Sequence, residues 1–106
     1  MIIAVDFDGT ICTDEYPKIG SPNKFLIAAL IEAQHQEAKI ILWTCRSGDQ
    51  LKKAVDWCEK YGLTFDAVNE NVEEAIQKFG GDSRKIYADL YIDDKASPFI
   101  DLVRDI

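Results

Sequence analysis

The sequence has little that would staple it, insert it into a membrane or draw it to a polyanion. Its three cysteines, Cys12, Cys45 and Cys58, are odd in number and share no CxxC spacing. That excludes a disulfide framework and a cysteine zinc site, and leaves reduced thiols in a cytoplasmic protein. No apolar run nears the roughly 18 residues of a membrane span, and the run at residues 2–5 is too short and too soon acidic for a signal peptide. Basic residues are outnumbered, 12 Lys and Arg against 19 Asp and Glu, for a net charge of −7. A nonspecific nucleic-acid binder needs the opposite balance. A phosphorylated substrate stays open, because a bound divalent cation reverses the local field. The lone histidine, His35, falls at the polar end of a helical pattern and reads as solvated. Repeats, linkers and low-complexity stretches are missing too, so the 106 residues form one domain, 1–106, long enough to bury about two-thirds of its unfolded surface.

What is present alternates. IIAV (2–5) is a short buried strand, and the Gly-, Pro- and charge-bearing stretch 9–21 is a loop with room for a small hairpin. Ser21 followed by Pro22 predicts a helix N-cap and first turn, opening the Ala-rich helix NKFLIAALIEAQHQ. KIILW (39–43) is a second buried strand. Leu51, Val55, Cys58 and Tyr61 recur at helical spacing, with Gly62 as the stop signal. FDAV (65–68) is a weak third strand. Asn71 and Glu74 resemble a capping box for a short helix through Val72, Ile76 and Phe79, ended by Gly80 and Gly81. YADLYI (87–92) is a fourth strand, and Ser97-Pro98 opens a last short helix. Trp43 and Trp57 read as core. Strands alternating with helices imply an α/β fold, a parallel sheet of about four strands covered on both faces.

In such sheets the ligand site lies beyond the carboxyl ends of the strands, where strand order reverses. The first strand is followed by Asp6-Phe7-Asp8-Gly9-Thr10, the second by Thr44-Cys45-Arg46-Ser47-Gly48, the third by Asn69-Glu70-Asn71 and the fourth by Asp93-Asp94-Lys95. Three of these ends carry candidate chemistry and should converge on one sheet edge. Competing motifs fail on spacing. An EF-hand loop starting at Asp6 would need Gly at Ile11 and Glu at Pro17. A cysteine phosphatase would need Arg six positions after its nucleophile, where Cys45 has Leu51 and Cys12 has Lys18.

DFDGT after the first strand, Thr44 ending the second, an upstream lysine and the Asp93-Asp94 pair resemble the four motifs of the haloacid dehalogenase superfamily, across nearly the whole chain. The resemblance implies a Rossmann-like three-layer sandwich and a magnesium-dependent phosphatase. It makes Asp6 the nucleophile, forming a phospho-aspartyl intermediate, and Asp8 the acid and base. Side chains alternate in an extended segment, so Asp6 and Asp8 point one way and Phe7 into the core. Gly9 allows a sharp turn close to the phosphate. Thr10, the Thr44 hydroxyl and the Cys45 amide are candidate substrate contacts, and Arg46 is either a surface charge or a further contact. Lys85, eight residues before Asp93, is the expected catalytic lysine balancing phosphoryl charge, with Lys78 the alternative. Four crowded carboxylates call for a cation, and hard oxygen ligands suit Mg²⁺. In the family pattern Asp6 binds it through its side chain and Asp8 through its carbonyl. Of the last pair, Asp93 is expected to bind directly and Asp94 at one remove, because neighbours on a strand face opposite ways.

Only 13 residues separate Asp8 from Pro22, which leaves no room for the cap domain many family members insert. A capless site admits a macromolecular phosphate, or a small molecule with the lid supplied by a second copy in a homo-oligomer. ADLYIDD and TCRSG are similar to stretches in the deoxyribonucleotidase branch and tilt the reading towards nucleotide-like phosphomonoesters. Two other classes are weighed against this one. A receiver-like phospho-accepting domain shares the parallel fold, Mg²⁺, a Thr and a Lys, but carries its phosphorylated Asp after the third strand, where this chain has Asn69 and Glu70. A non-catalytic Mg²⁺- and phosphate-binding module would need a degenerate site, and every expected residue type is present.

Overall fold

The computed structural model describes residues 1–96 and Arg104; the helix expected from Ser97-Pro98 lies outside them. β1 (Ile2–Val5), β4 (Lys39–Leu42), β5 (Ala67–Val68) and β6 (Leu90–Ile92) form a parallel sheet in the order β5-β4-β1-β6. β2 (Cys12–Glu15) and β3 (Lys18–Pro22) make a separate antiparallel hairpin inside the 9–21 loop. α1 (Lys24–His35), α2 (Gly48–Lys60) and α3 (Glu73–Phe79) are the crossovers.

Strand alternation divides the core into two layers. Ile3, Val5, Ile40 and Leu42 meet Ile27 and Leu30 of α1 and Ala54 and Cys58 of α2 on one face. Ile2, Ala4, Ile41 and Ala67 meet Val72, Ala75, Ile86 and Ala88 on the other. A run such as IIAV, buried at every position, fits a strand covered on both sides. The three-layer α/β expectation therefore holds. Trp57 packs edge-on to Phe7 at 5.7 Å, as expected, whereas Trp43 is 36% exposed and stands at the sheet edge instead of in the core.

Three local expectations are corrected. α1 is capped by Asn23, whose side chain accepts from Leu26 N at 3.1 Å, not by Ser21; Pro22 is held in β3 opposite Cys12, so the helix starts later. Asn71 does not cap α3, whose N-cap residue is Val72. Its buried amide reaches Asp82 Oδ1 (2.7 Å) and Ser83 O (3.1 Å) and accepts from Tyr87 N (2.7 Å), tying the loop after α3 back to the sheet. The fourth strand is shorter than 87–92, because the N–H groups of Tyr87 and Ala88 bond to the Asn71 and Tyr91 side chains and make no sheet ladder.

Candidate active site

The chain leaves β1 for β4 and β5, then returns to the other side of β1 as β6. Strand order therefore reverses between β1 and β6, and that crevice is where an open α/β sheet places a ligand. Asp6 follows β1 there, its N–H donating to Ile92 O at 2.9 Å. Asp93 and Asp94 follow β6. One carboxylate oxygen from each of Asp6, Asp93 and Asp94 lies within 4.8 Å of the other two. These acids line a cavity of about 430 Å³ together with Asp8, Asp14, Trp43, Thr44, Cys45 and Lys95.

Asp6 carries the strain of this grouping. Its pKa is pushed from 3.8 up to about 6, first by burial and then by the charges of Asp93, Asp94 and Asp8, against a lowering hydrogen bond from the Phe7 backbone. For Asp94, desolvation pushes upward, but the hydrogen bond and charge of Lys95, with hydrogen bonds to Asp93 and Asp6, leave it below the usual value. Hard carboxylate oxygens converging from three directions, one of them resisting ionisation beside its neighbours, are the donor set a small divalent cation neutralises. The residues fit Mg²⁺. Both members of the final pair reach the cluster, because β6 ends at Ile92 and the two acids lie in the following turn, where strand alternation no longer applies. The expected division between a direct Asp93 and a remote Asp94 has no basis in this geometry.

Gly9 and Thr10 support the cluster from behind and do not line the cavity. Gly9 has φ +84, and a Cβ there would lie 2.9 Å from Asp94 Cγ and still closer to Oδ2. Asp94 N donates to Thr10 Oγ1 at 3.1 Å. Gly9→Ala should therefore push the Asp94 carboxylate out of the group and add about 1–2 kcal/mol of backbone strain. Weaker Mg²⁺ binding by calorimetry, with a Tm lower by several degrees, is the expected result; unchanged Mg²⁺ affinity would show that Asp94 does not hold the ion.

Asp8 faces the cavity beside Asp6, with Phe7 fully buried between them, as alternation requires. Its carboxylate is gripped by Arg46, Nε donating to Oδ2 at 2.8 Å and Nη2 to Oδ1 at 2.7 Å. Arg46 is neither a surface charge nor a free substrate contact. Its side chain is 1% exposed, and its remaining N–H groups go to Pro17 O (3.2 Å), Lys18 O (2.9 Å) and Gln50 O (3.5 Å). The guanidinium also lies 5.0 Å from the ring centres of Phe7 and Tyr16. The hydrogen bond with Asp8 raises its pKa despite burial, so the charge is permanent. One side chain thus joins the acid after β1, the hairpin turn and α2.

Thr44 lies where the motif places it. Its N–H donates to Asn69 Oδ1 at 2.7 Å and its Oγ1 accepts from Arg46 N at 3.1 Å, which leaves the hydroxyl hydrogen available to the cavity. Cys45 lines the same wall. Cys12 and Cys58 are free and buried, and burial, with Cys12 second, pushes Cys58 up to about 12; neither thiol is poised for chemistry.

The lysines depart from expectation. Lys85 lines a separate cavity of about 710 Å³ between α3 and the segment before β6. Lys78 sits with Met1, Ile2 and Asp89 at the amino ends of the strands. Among the described residues lining the acid cavity the only cation is Lys95, whose Nζ lies 3.3 Å from Asp94 Oδ2. Asp14, on the hairpin, and Trp43 also line it without having been singled out for it. The signal for Lys95 was its place directly after the acid pair at a strand end; for Asp14 nothing local distinguishes it from a solvated hairpin acid.

A solved structure of a conserved protein from Bacteroides thetaiotaomicron matches with a TM-score of 0.79 and 41% sequence identity, over 99% of this chain and 87% of that one. No family model and no curated protein matches. Among the described residues no helix is long and apolar enough to cross a membrane. At that identity and coverage, this chain belongs to the same family as the Bacteroides thetaiotaomicron protein.

Proposed function

We propose that the chain is a Mg²⁺-dependent phosphomonoester hydrolase working through a phospho-aspartyl intermediate on Asp6, as its resemblance to the haloacid dehalogenase superfamily implies. The observation that carries this reading is the convergence of Asp6, Asp93 and Asp94 at the switch point of the sheet. Asp6 attacks phosphorus through a carboxylate oxygen, and the bond from phosphorus to the leaving oxygen breaks. Thr44 donates its hydroxyl, and Lys95 supplies positive charge, to the phosphoryl oxygens. Asp8 gives the leaving oxygen its proton and later takes one from the water that hydrolyses the intermediate. Arg46 takes one acceptor site on each Asp8 oxygen, and the remaining lone pairs are left to carry the proton. Bound Mg²⁺ would be held by Asp6, Asp93, Asp94 and the carbonyl of Asp8, and would offset the charge of the carboxylates and the incoming phosphate.

The receiver-like reading gains nothing from the geometry. After β5 the chain offers Asn69, spent on Thr44 N, and no aspartate. The test is phosphate release from p-nitrophenyl phosphate with Mg²⁺ and with EDTA. Release should stop in EDTA and return with excess Mg²⁺. Release indifferent to EDTA would remove the metal from the scheme, and no release from this or any other phosphomonoester would remove the hydrolase.

A further inference from the structure

The acid cavity does not end at Trp43. Trp43 also lines a second cavity of about 390 Å³, with Asn69, Glu70, Asp82, Ser83, Arg84 and Ile86. Both cavities lie at one sheet edge, since Trp43 directly follows β4 and Asn69 directly follows β5. Their chemistry differs. The first holds five aspartates and a lysine already beside Asp94. The second presents the Trp43 ring, one exposed guanidinium and two exposed carboxylates, Glu70 and Asp82, of which Asp82 already accepts from Asn71. The Trp43 backbone N–H donates to Val5 O at 2.9 Å, and its ring packs against Tyr91, whose ring centre is 5.5 Å away. Arg84 makes no ion pair among the described residues.

We infer that this second cavity receives the leaving group, and that Trp43 and Arg84 select phosphomonoesters whose alcohol carries a flat ring with a polar edge. This rests on the hydrolase reading and adds to it where the rest of the substrate goes. A phosphoryl group on Asp6 must have its leaving oxygen directed away from that carboxylate, and Trp43, the residue the two cavities share, gives that oxygen's substituent a surface. The indole face stacks on a ring, while Arg84 and Glu70 present a donor and an acceptor to its rim. A second phosphate on the acid side would meet aspartates; a polar edge beyond Trp43 meets Arg84 as a donor and Glu70 and Asp82 as acceptors.

The experiment compares two donors whose leaving groups are both stable as anions. p-Nitrophenyl phosphate has a ring and a polar edge, and acetyl phosphate is too small to extend past Trp43 to Arg84. In the wild type, KM should be lower for the aryl ester. Arg84→Ala removes an exposed side chain, so folding is not at issue, and should shrink the kcat/KM ratio of aryl ester to acetyl phosphate by about tenfold, as should Trp43→Leu. A ratio within twofold of wild type in both variants would overturn the inference while leaving the hydrolase standing. Release from neither compound by the wild type would overturn the inference, and the hydrolase falls with it only when no other phosphomonoester is hydrolysed either.

Discussion

Arg46→Ala is expected to destabilise the protein by about 3–5 kcal/mol, with Tm lower by more than 10 °C. The size follows from what the side chain holds. Its five N–H groups serve both oxygens of Asp8 and the carbonyls of Pro17, Lys18 and Gln50, and its plane lies against Phe7 and Tyr16. Truncation leaves Asp8, whose side chain is 18% exposed, without its counter-charge, and opens a gap beside a fully buried ring. Breaking a buried pair by removing one partner costs far more than the pair contributes net. Arg46→Lys keeps the charge but supplies three donors where five are used and loses the planar fork, so a loss of about 2 kcal/mol is expected. Urea unfolding of the three proteins measures this. A loss under 1 kcal/mol for Arg46→Ala would mean that the hairpin turn is not held through the guanidinium.

Arg46 also shows where sequence reasoning stopped. A Thr-Cys-Arg-Ser-Gly loop after a buried strand places the arginine near the site, but nothing local says that its partner is 38 positions earlier or that a hairpin covers it. The same division runs through the fold. IIAV, KIIL and the acids at the strand ends were legible, because a fully apolar run and an abrupt carboxylate are local signals. The helix stops were legible too: Gly62 and Gly80 take φ +86 and +75, a conformation few other residues adopt cheaply. Ser21-Pro22 and Asn71-x-x-Glu74 were also local signals and misled, because each was outbid by a distant partner, Cys12 for Pro22 and Asp82 and Tyr87 for Asn71. The lysine failed for a different reason. Spacing along the chain could rank Lys85 against Lys78, but only the turn after β6, with Lys95 N bonded to Asp93 Oδ1 at 2.8 Å, puts a lysine at the cavity.

Asp6→Asn is expected to cut phosphate release at least 10³-fold, because an amide oxygen cannot become the phospho-carrier. The larger test of its role is that the same substitution should stabilise the metal-free protein. Asp6 has a folded pKa of about 6 against 3.8 ordinarily, so between those values the folded chain binds more protons than the unfolded one. Its contribution to stability therefore falls as pH rises through that window, and the penalty is complete above pH 6. A two-unit shift corresponds to about 3 kcal/mol. Solvent screening at a partly exposed carboxyl reduces this to about 1–2 kcal/mol, or roughly 5 °C in Tm. With Mg²⁺ chelated, Asp6→Asn should melt higher than wild type at pH 7.5 and match it near pH 4. Saturating Mg²⁺ should reverse the order, because the ion binds the folded wild type more tightly than the variant and stabilises it by mass action. A variant that melts lower than wild type at pH 7.5 in EDTA would mean that Asp6 is a structural acid, held by partners that the amide cannot satisfy. A variant stabilised in EDTA but equally stabilised by Mg²⁺ would place the ion elsewhere. Higher stability without the ion and lower stability with it, together with lost turnover, is the pattern of a carboxylate kept at a cost for binding and chemistry.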